Sequence, residues 1–170
     1  MGLLDILVET LTEIGDNGKS YPFKIVEDNF DSAHKDEEGF FNNTYAVYEF
    51  EDRYTNPYGV DISWNNNYSG TQQDIQIDFG ANGSSKLTNA NDIPNVMKTI
   101  VEILKDAYKI IPFKNIAFTS ATNKNKDVGE RGAEQRTKLY LYFLKKEIPN
   151  AKVRQLNHSV IITLPDNFKP

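Results

Sequence analysis

No cysteine occurs among the 170 residues, which excludes disulfides, thiolate metal sites and cysteine nucleophiles. Two histidines, His34 and His158, are too few for a multi-histidine metal site. Neither stands beside a Ser/Asp arrangement that suggests a catalytic triad, so both read as surface residues. No apolar run approaches the roughly 18 residues a membrane-spanning helix needs, so no membrane partner is expected. The start, Met1-Gly2-Leu3-Leu4-Asp5, has no basic stretch before its apolar residues, so it reads as neither a secretory leader nor a good myristoylation context. Without a leader, the Asn-x-Ser/Thr sites at Asn42, Asn67, Asn82 and Asn157 follow from Asn and Ser content alone. Phosphate-gripping signatures are missing as well. Gly80-Ala81-Asn82-Gly83-Ser84-Ser85 follows an apolar alternating run, but it leads into no Gly-Lys-Ser/Thr and has no G-x-G-x-x-G spacing. It reads as a plain connecting loop.

What is present suits one globular domain over residues 1–170. Hydrophobic residues make up 39%, charged residues 25% and aromatics 12%, enough large side chains for a core. Leu3, Leu4, Leu7, Leu11 and Ile14 recur at helical spacing, so residues 1–18 hold an amphipathic helix stopped by Gly15-Asp16-Asn17-Gly18. A short strand is expected over Pro22–Val26. Residues 27–43, with Asp28, Asp31, Asp36, Glu37 and Glu38, read as a solvated acidic loop.

Strict alternation then marks three strands. Ala46, Tyr48 and Phe50 share one side of 44–51. Val60, Ile62 and Trp64 share one side of 58–64, and Ile75, Ile77 and Phe79 one side of 73–79. Alternation of this kind means a sheet with one buried and one polar face, and short polar connectors favour antiparallel neighbours. The polar side carries Glu49, Asp61 and Asp78. Each could serve as a general base in an enzyme, but exposed strand carboxylates are usually only solvated.

Asp92 can cap a helix with Pro94 in its first turn, and the apolar stripe from Val96 to Tyr108 runs on to Pro112. Asn115–Thr119 reads as a buried central strand. A helix over 133–148 packs through Arg136, Leu139, Tyr140, Phe143 and Leu144, and two paired strands, 152–156 and 159–164, follow. The fold class is α+β, a mixed and mostly antiparallel sheet with helices packed on it, in the order α-β-β-β-β-α-β-α-β. The expected core is Leu7, Leu11, Val60, Ile62, Ile75, Ile77, Ile100, Leu104, Phe118, Leu139 and Phe143.

Charge is unevenly divided. Up to Asp92 there are 17 Asp and Glu against 5 Lys and Arg; from Ile93 onward there are 7 against 14. Asymmetry of this kind steers charged partners and favours head-to-tail association. Candidate binding residues are therefore the acidic Asp36, Glu37 and Glu38 and the basic Arg136, Lys138, Lys145 and Lys146. Tyr140 and Tyr142 lie among the basic residues, yet the chain is acidic overall, with a pI near 5.1 and no nucleic-acid-binding signature. Nucleic acid is not the expected partner.

The order of elements after residue 44 resembles the GNAT-type acyltransferase fold. Ile116-Ala117-Phe118 corresponds to that family's central strand and Arg136-Thr137-Lys138-Leu139-Tyr140 to its last helix. The resemblance implies acetyl-CoA as cofactor and Tyr140 as general acid. The stretch before the 94–111 helix, Thr88-Asn89-Ala90-Asn91-Asp92-Ile93-Pro94, lacks the glycines that hold the coenzyme pyrophosphate in that family. The segments Val96–Ile100, Pro112–Ala121 and Arg136–Tyr140 resemble small uncharacterised proteins of tailed bacteriophages. That resemblance implies a protein of the bacterial host cytoplasm or of the virion. The expected function is non-catalytic binding of a protein partner, itself included as a homo-oligomer, with no cofactor and no metal. An acyl-CoA-dependent N-acyltransferase and an acidic decoy of a nucleic-acid-binding host protein are the alternatives.

Overall fold

Alternating sequence becomes an alternating sheet. In the computed structural model, which describes residues 18–66, 72–83, 92–119, 130–156 and 159–170, seven strands form one mixed sheet. Strands β1 (Phe23–Asp28), β2 (Thr44–Glu51), β3 (Pro57–Asn66) and β4 (Gln73–Ala81) make an antiparallel meander. Helix α1 (Ile93–Ile110) then crosses over to β5 (Asn115–Thr119), which lies parallel to β4. Helix α2 (Glu130–Glu147) leads to the hairpin β6 (Lys152–Leu156) and β7 (Ser159–Thr163). The spatial order is β1-β2-β3-β4-β5-β7-β6, so β7 lies between β5 and β6.

The α+β class and the mostly antiparallel sheet are as the sequence reading has them. The paired strands expected over 152–156 and 159–164 are both present, so two strands follow the last helix where the written order of elements counts one. The helix expected over residues 1–18 lies outside the described residues except for Gly18.

One sheet face is apolar and covered. Cross-strand rows such as Tyr48–Val60–Phe79 and Ala46–Ile62–Ile77 are all buried. Helix α1 supplies Val96, Met97, Ile100, Ile103, Leu104 and Ala107 to the same core. Most buried polar groups on this side are satisfied, although Thr44 Oγ1 makes no hydrogen bond among the described residues. Trp64 Nε1 donates to the Ile111 carbonyl at 2.9 Å, and the Tyr48 hydroxyl donates to Asp106 on α1 at 3.0 Å. Helix α2 packs on the same side. The Tyr140 ring lies 4.6 Å from that of Phe79 and 5.8 Å from that of Phe118, and Lys98 on α1 pairs with Glu147 on α2 at 2.7 Å. Of the expected core, Val60, Ile62, Ile75, Ile77, Ile100, Leu104, Phe118 and Phe143 are buried. Leu7 and Leu11, and the side chain of Leu139, lie outside the described residues.

The stretch 27–43 is more built than a solvated loop. Glu27 and Asp28 complete β1, Phe30–Ser32 forms a 3-10 turn, and Lys35 bridges Phe41 across a tight hairpin. Local hydrogen bonding is the cause. The Asp36 carboxylate accepts the Phe40 amide at 2.8 Å and the Asn42 side-chain amide, while Gly39 takes the left-handed conformation that closes the turn. The Phe30 ring also packs edge-on against Trp64, 5.7 Å between centroids, which anchors the stretch to the core.

Candidate functional site

Because side chains alternate, the second sheet face collects what the first rejects. Among the described residues both helices lie on the apolar side, and this second face meets solvent. Its rows follow from register: Glu27–Val47–Asp61–Asp78, then Lys24–Glu49–Gly59–Gly80, then Tyr45–Ser63–Gln76–Ala117–Ile161–Arg154. Acidic side chains crowd the β1–β4 half, and Lys152 and Arg154 mark the β6 edge.

A cleft of about 410 Å³ opens in the acidic half. Its floor is the backbone of Gly59 and Gly80, which pair directly across β3 and β4. A Cβ added at Gly59 would meet nothing within 4 Å, so the missing side chain is itself part of the cavity. Glu49 stands on one side, and Asp61 and Asp78 on the other. The end is closed by Asn82 and Gly83, both in the left-handed region of a turn tied down by the Asn82 amide on the Pro57 carbonyl at 2.8 Å.

Asp61 and Asp78 occupy directly opposed positions, an arrangement that costs stability in a sheet. The partial burial of its base, followed by the nearby charges of Asp78 and Glu27, raises the pKa of Asp61 above the usual carboxylate range. No ion pair among the described residues neutralises Glu49, Asp61 or Asp78. No group of three or more His, Asp or Glu among the described residues is arranged to hold a metal ion. The cleft therefore gathers three carboxylates that form no ion pair among the described residues, with Lys24 opposite Glu49 in register, around a flat, side-chain-free floor. Such a site accepts an ammonium or guanidinium group.

The other acidic residues have different work. Asp92, expected to cap α1, stands at the N-cap position but makes no capping hydrogen bond. Its buried carboxylate instead accepts the Tyr21 hydroxyl at 2.6 and 2.8 Å and the Asn95 amide at 2.9 Å, and lies 3.1 Å from Arg53 Nε. This ties the segment before β1 to the helix start. Asp52, also buried, accepts the Tyr54 and Asn56 amides, both at 2.9 Å, and so fixes the β2–β3 turn. Asp74 accepts the Asn115 amide at 2.7 Å across the parallel pair.

Of the acidic residues singled out by charge, Asp36 is held in its hairpin turn, while Glu37 and Glu38 are exposed at its tip. None of the three lines the cleft. Lys138, Lys145 and Lys146 are exposed on α2, the helix that covers the opposite side of the sheet from the cleft. The side chain of Arg136 lies outside the described residues. Half-buried Tyr142 shares the helix surface of Lys138 and Lys145, at spacings of four and three residues. Lys138, Lys145 and Lys146 thus lie on the other side of the sheet from the cleft of Glu49, Asp61 and Asp78. Tyr140 is wedged between Phe79 and Phe118 as a packing ring.

No family model, curated protein or solved structure matches the chain. No helix among the described residues is long and apolar enough to cross a membrane.

Proposed function

We propose that the chain is a non-catalytic binding protein whose uncovered sheet face docks a protein partner with a basic surface. Its setting is that of a phage-type virion component or accessory factor. The observation that carries this reading is the opposition of Asp61 and Asp78 beside the Gly59–Gly80 floor, with Glu49 across from them. Sequences that specify a fold avoid opposed like charges, and departures from that rule gather at functional sites. A lysine or arginine side chain laid over the glycine floor would relieve the repulsion. The test is calorimetric titration with an octalysine peptide. Tight binding that falls at least tenfold in Asp61→Asn/Asp78→Asn supports the reading. Equal binding by both proteins, or none by either, removes it.

A second reading, acyl transfer on a GNAT-like frame, is favoured by one feature. A crossover helix joins the parallel strands β4 and β5, and their pairing runs from Asp74–Asn115 to Ile77–Phe118 while β4 continues to Ala81. Tyr140 packs beside these strand ends, against Phe79 and Phe118. In this reading acetyl-CoA would lie where the strands part and the acidic cleft would attract an amine acceptor. Titration with acetyl-CoA decides it: heat of binding supports acyl transfer, and its absence leaves the non-catalytic reading.

A further inference from the structure

The acidic cleft and the exposed surface of α2 lie on opposite sides of one body. The cleft offers Glu49, Asp61 and Asp78 around a glycine floor. The helix offers Lys138 and Lys145, seven residues apart and therefore on one side, with Tyr142 between them. No acidic partner for Lys138 or Lys145 occurs among the described residues. Each patch also carries an aromatic ring able to supply contact area: Tyr45, 36% exposed on the sheet face, and half-buried Tyr142 on the helix.

We infer that the partner docked by the acidic sheet face is a second copy of this chain, presenting the Lys138–Tyr142–Lys145 surface of its α2. The inference rests on the binding role proposed above and names the partner. Two complementary patches on one chain make a heterologous contact, in which the donor surface of one copy meets the acceptor surface of the next. Since the patches lie on opposite sides of a layered body, the contact repeats without closing, and the copies stack as an open row. Electrostatic steering makes this association fast at low salt, where the Debye length is about 30 Å at 0.01 M, and slower near 0.15 M, where it is about 8 Å.

The geometry gives a test that ordinary salt-dependent stickiness cannot pass. In Lys138→Glu/Lys145→Glu the acceptor face remains; in Asp61→Asn/Asp78→Asn the donor face remains. Sedimentation velocity of the wild-type chain at low salt should show species larger than a dimer that grow with concentration and shrink as salt rises. Each variant alone should stay monomeric with an unchanged circular dichroism spectrum. An equimolar mixture of the two should form a one-to-one dimer and nothing larger, because each copy keeps one competent face. Gly59→Leu, which places a side chain over the open floor, should cut wild-type association at least tenfold. A wild-type chain that stays monomeric at low salt, or a mixture of variants that stays monomeric, overturns the inference. If that monomer still binds octalysine through Asp61 and Asp78, the acidic face remains a docking surface for another protein. If it binds neither, both readings fall together.

Discussion

Asp61 faces Asp78 directly across the ladder between β3 and β4, with no cation among the described residues to separate their charges. Directly opposed like charges destabilise a strand pair by about 0.2–1 kcal/mol. Asp61→Asn should therefore stabilise the folded chain by about that amount while weakening octalysine binding. Urea denaturation checks the first effect and calorimetry the second. A variant that is less stable than wild type would contradict the repulsion.

The same pair sets an acid-side pH dependence. The Asp61 carboxyl has its pKa raised in the folded chain, first by burial and then by Asp78 and Glu27, so the folded state holds its proton more tightly than the unfolded state. The destabilisation is fully present at neutral pH and is relieved as pH falls through the raised value toward the ordinary carboxylate value of about 4. The stability difference between Asp61→Asn and wild type should shrink over that descent. A difference that is constant from neutral pH to pH 4 would contradict the shift.

Tyr48 gives the opposite, alkaline limit. Its ring is fully buried and its hydroxyl donates to Asp106, and burial followed by that carboxylate pushes its pKa far above the usual value of about 10. A phenol whose folded pKa is raised contributes stability that is complete below about pH 10 and declines as pH rises beyond it. Tyr48→Phe should cost about 0.5–1.5 kcal/mol at neutral pH through loss of the hydrogen bond. It should also flatten the loss of stability above pH 10, which thermal melts at pH 8 and 10.5 would reveal.

Gly59 is a strand residue with open space where its side chain would stand. Glycine inside a strand weakens it, so Gly59→Ala should add about 0.5–1 kcal/mol. The added methyl group would also narrow the cleft. Tighter folding together with weaker octalysine binding is the expected pair of outcomes, read by denaturation and calorimetry on the same preparation.

Ile100 on α1 is fully buried against the sheet. Ile100→Ala should cost about 2–5 kcal/mol, the transfer of the lost groups plus the cavity left behind. Tyr140→Phe should cost only about 0.5–1.5 kcal/mol, because the ring and its contacts with Phe79 and Phe118 are kept. Chemical denaturation of both variants compares them directly.

Alternation made most of the covered face legible. Ala46, Tyr48 and Phe50, then Val60, Ile62 and Trp64, then Ile75, Ile77 and Phe79, are all buried together as their period of two requires. Helix α1 was legible for the same reason, since its apolar stripe is broad and Pro112 ends it. The parallel pairing of β4 with β5 and the insertion of β7 were not. Both depend on contacts between residues far apart in sequence, such as Asp74 with Asn115 and Ile116 with Ile162. Glu49, Asp61 and Asp78 were visible one at a time as polar-face carboxylates. Their convergence was hidden because it depends on strand register, which brings Asp61 opposite Asp78 and Gly59 opposite Gly80. The Gly-rich stretch at residue 80 drew attention as a loop, whereas its first glycine belongs to the strand and forms the cleft floor. Asp92 misled for a different reason: a carboxylate at an N-cap position normally serves the helix amides, and here Tyr21, Asn95 and Arg53 claim it.

The place of β7 bears on how the chain is made. The last strand in chain order lies inside the sheet, between β5 and β6, rather than at its rim. A ribosome delivers about 5–20 residues per second, so β1 to β4 can pair while the rest is still being synthesised. Through that interval the free margin of β4 awaits β5, and β5 in turn awaits β7. Nascent chains halted after β4 should therefore hold a protease-resistant meander, while those halted after β6 should still be cut at β5 and β6. Release of β7 would then close the sheet from the inside, and limited proteolysis of ribosome-bound chains of increasing length would display that order.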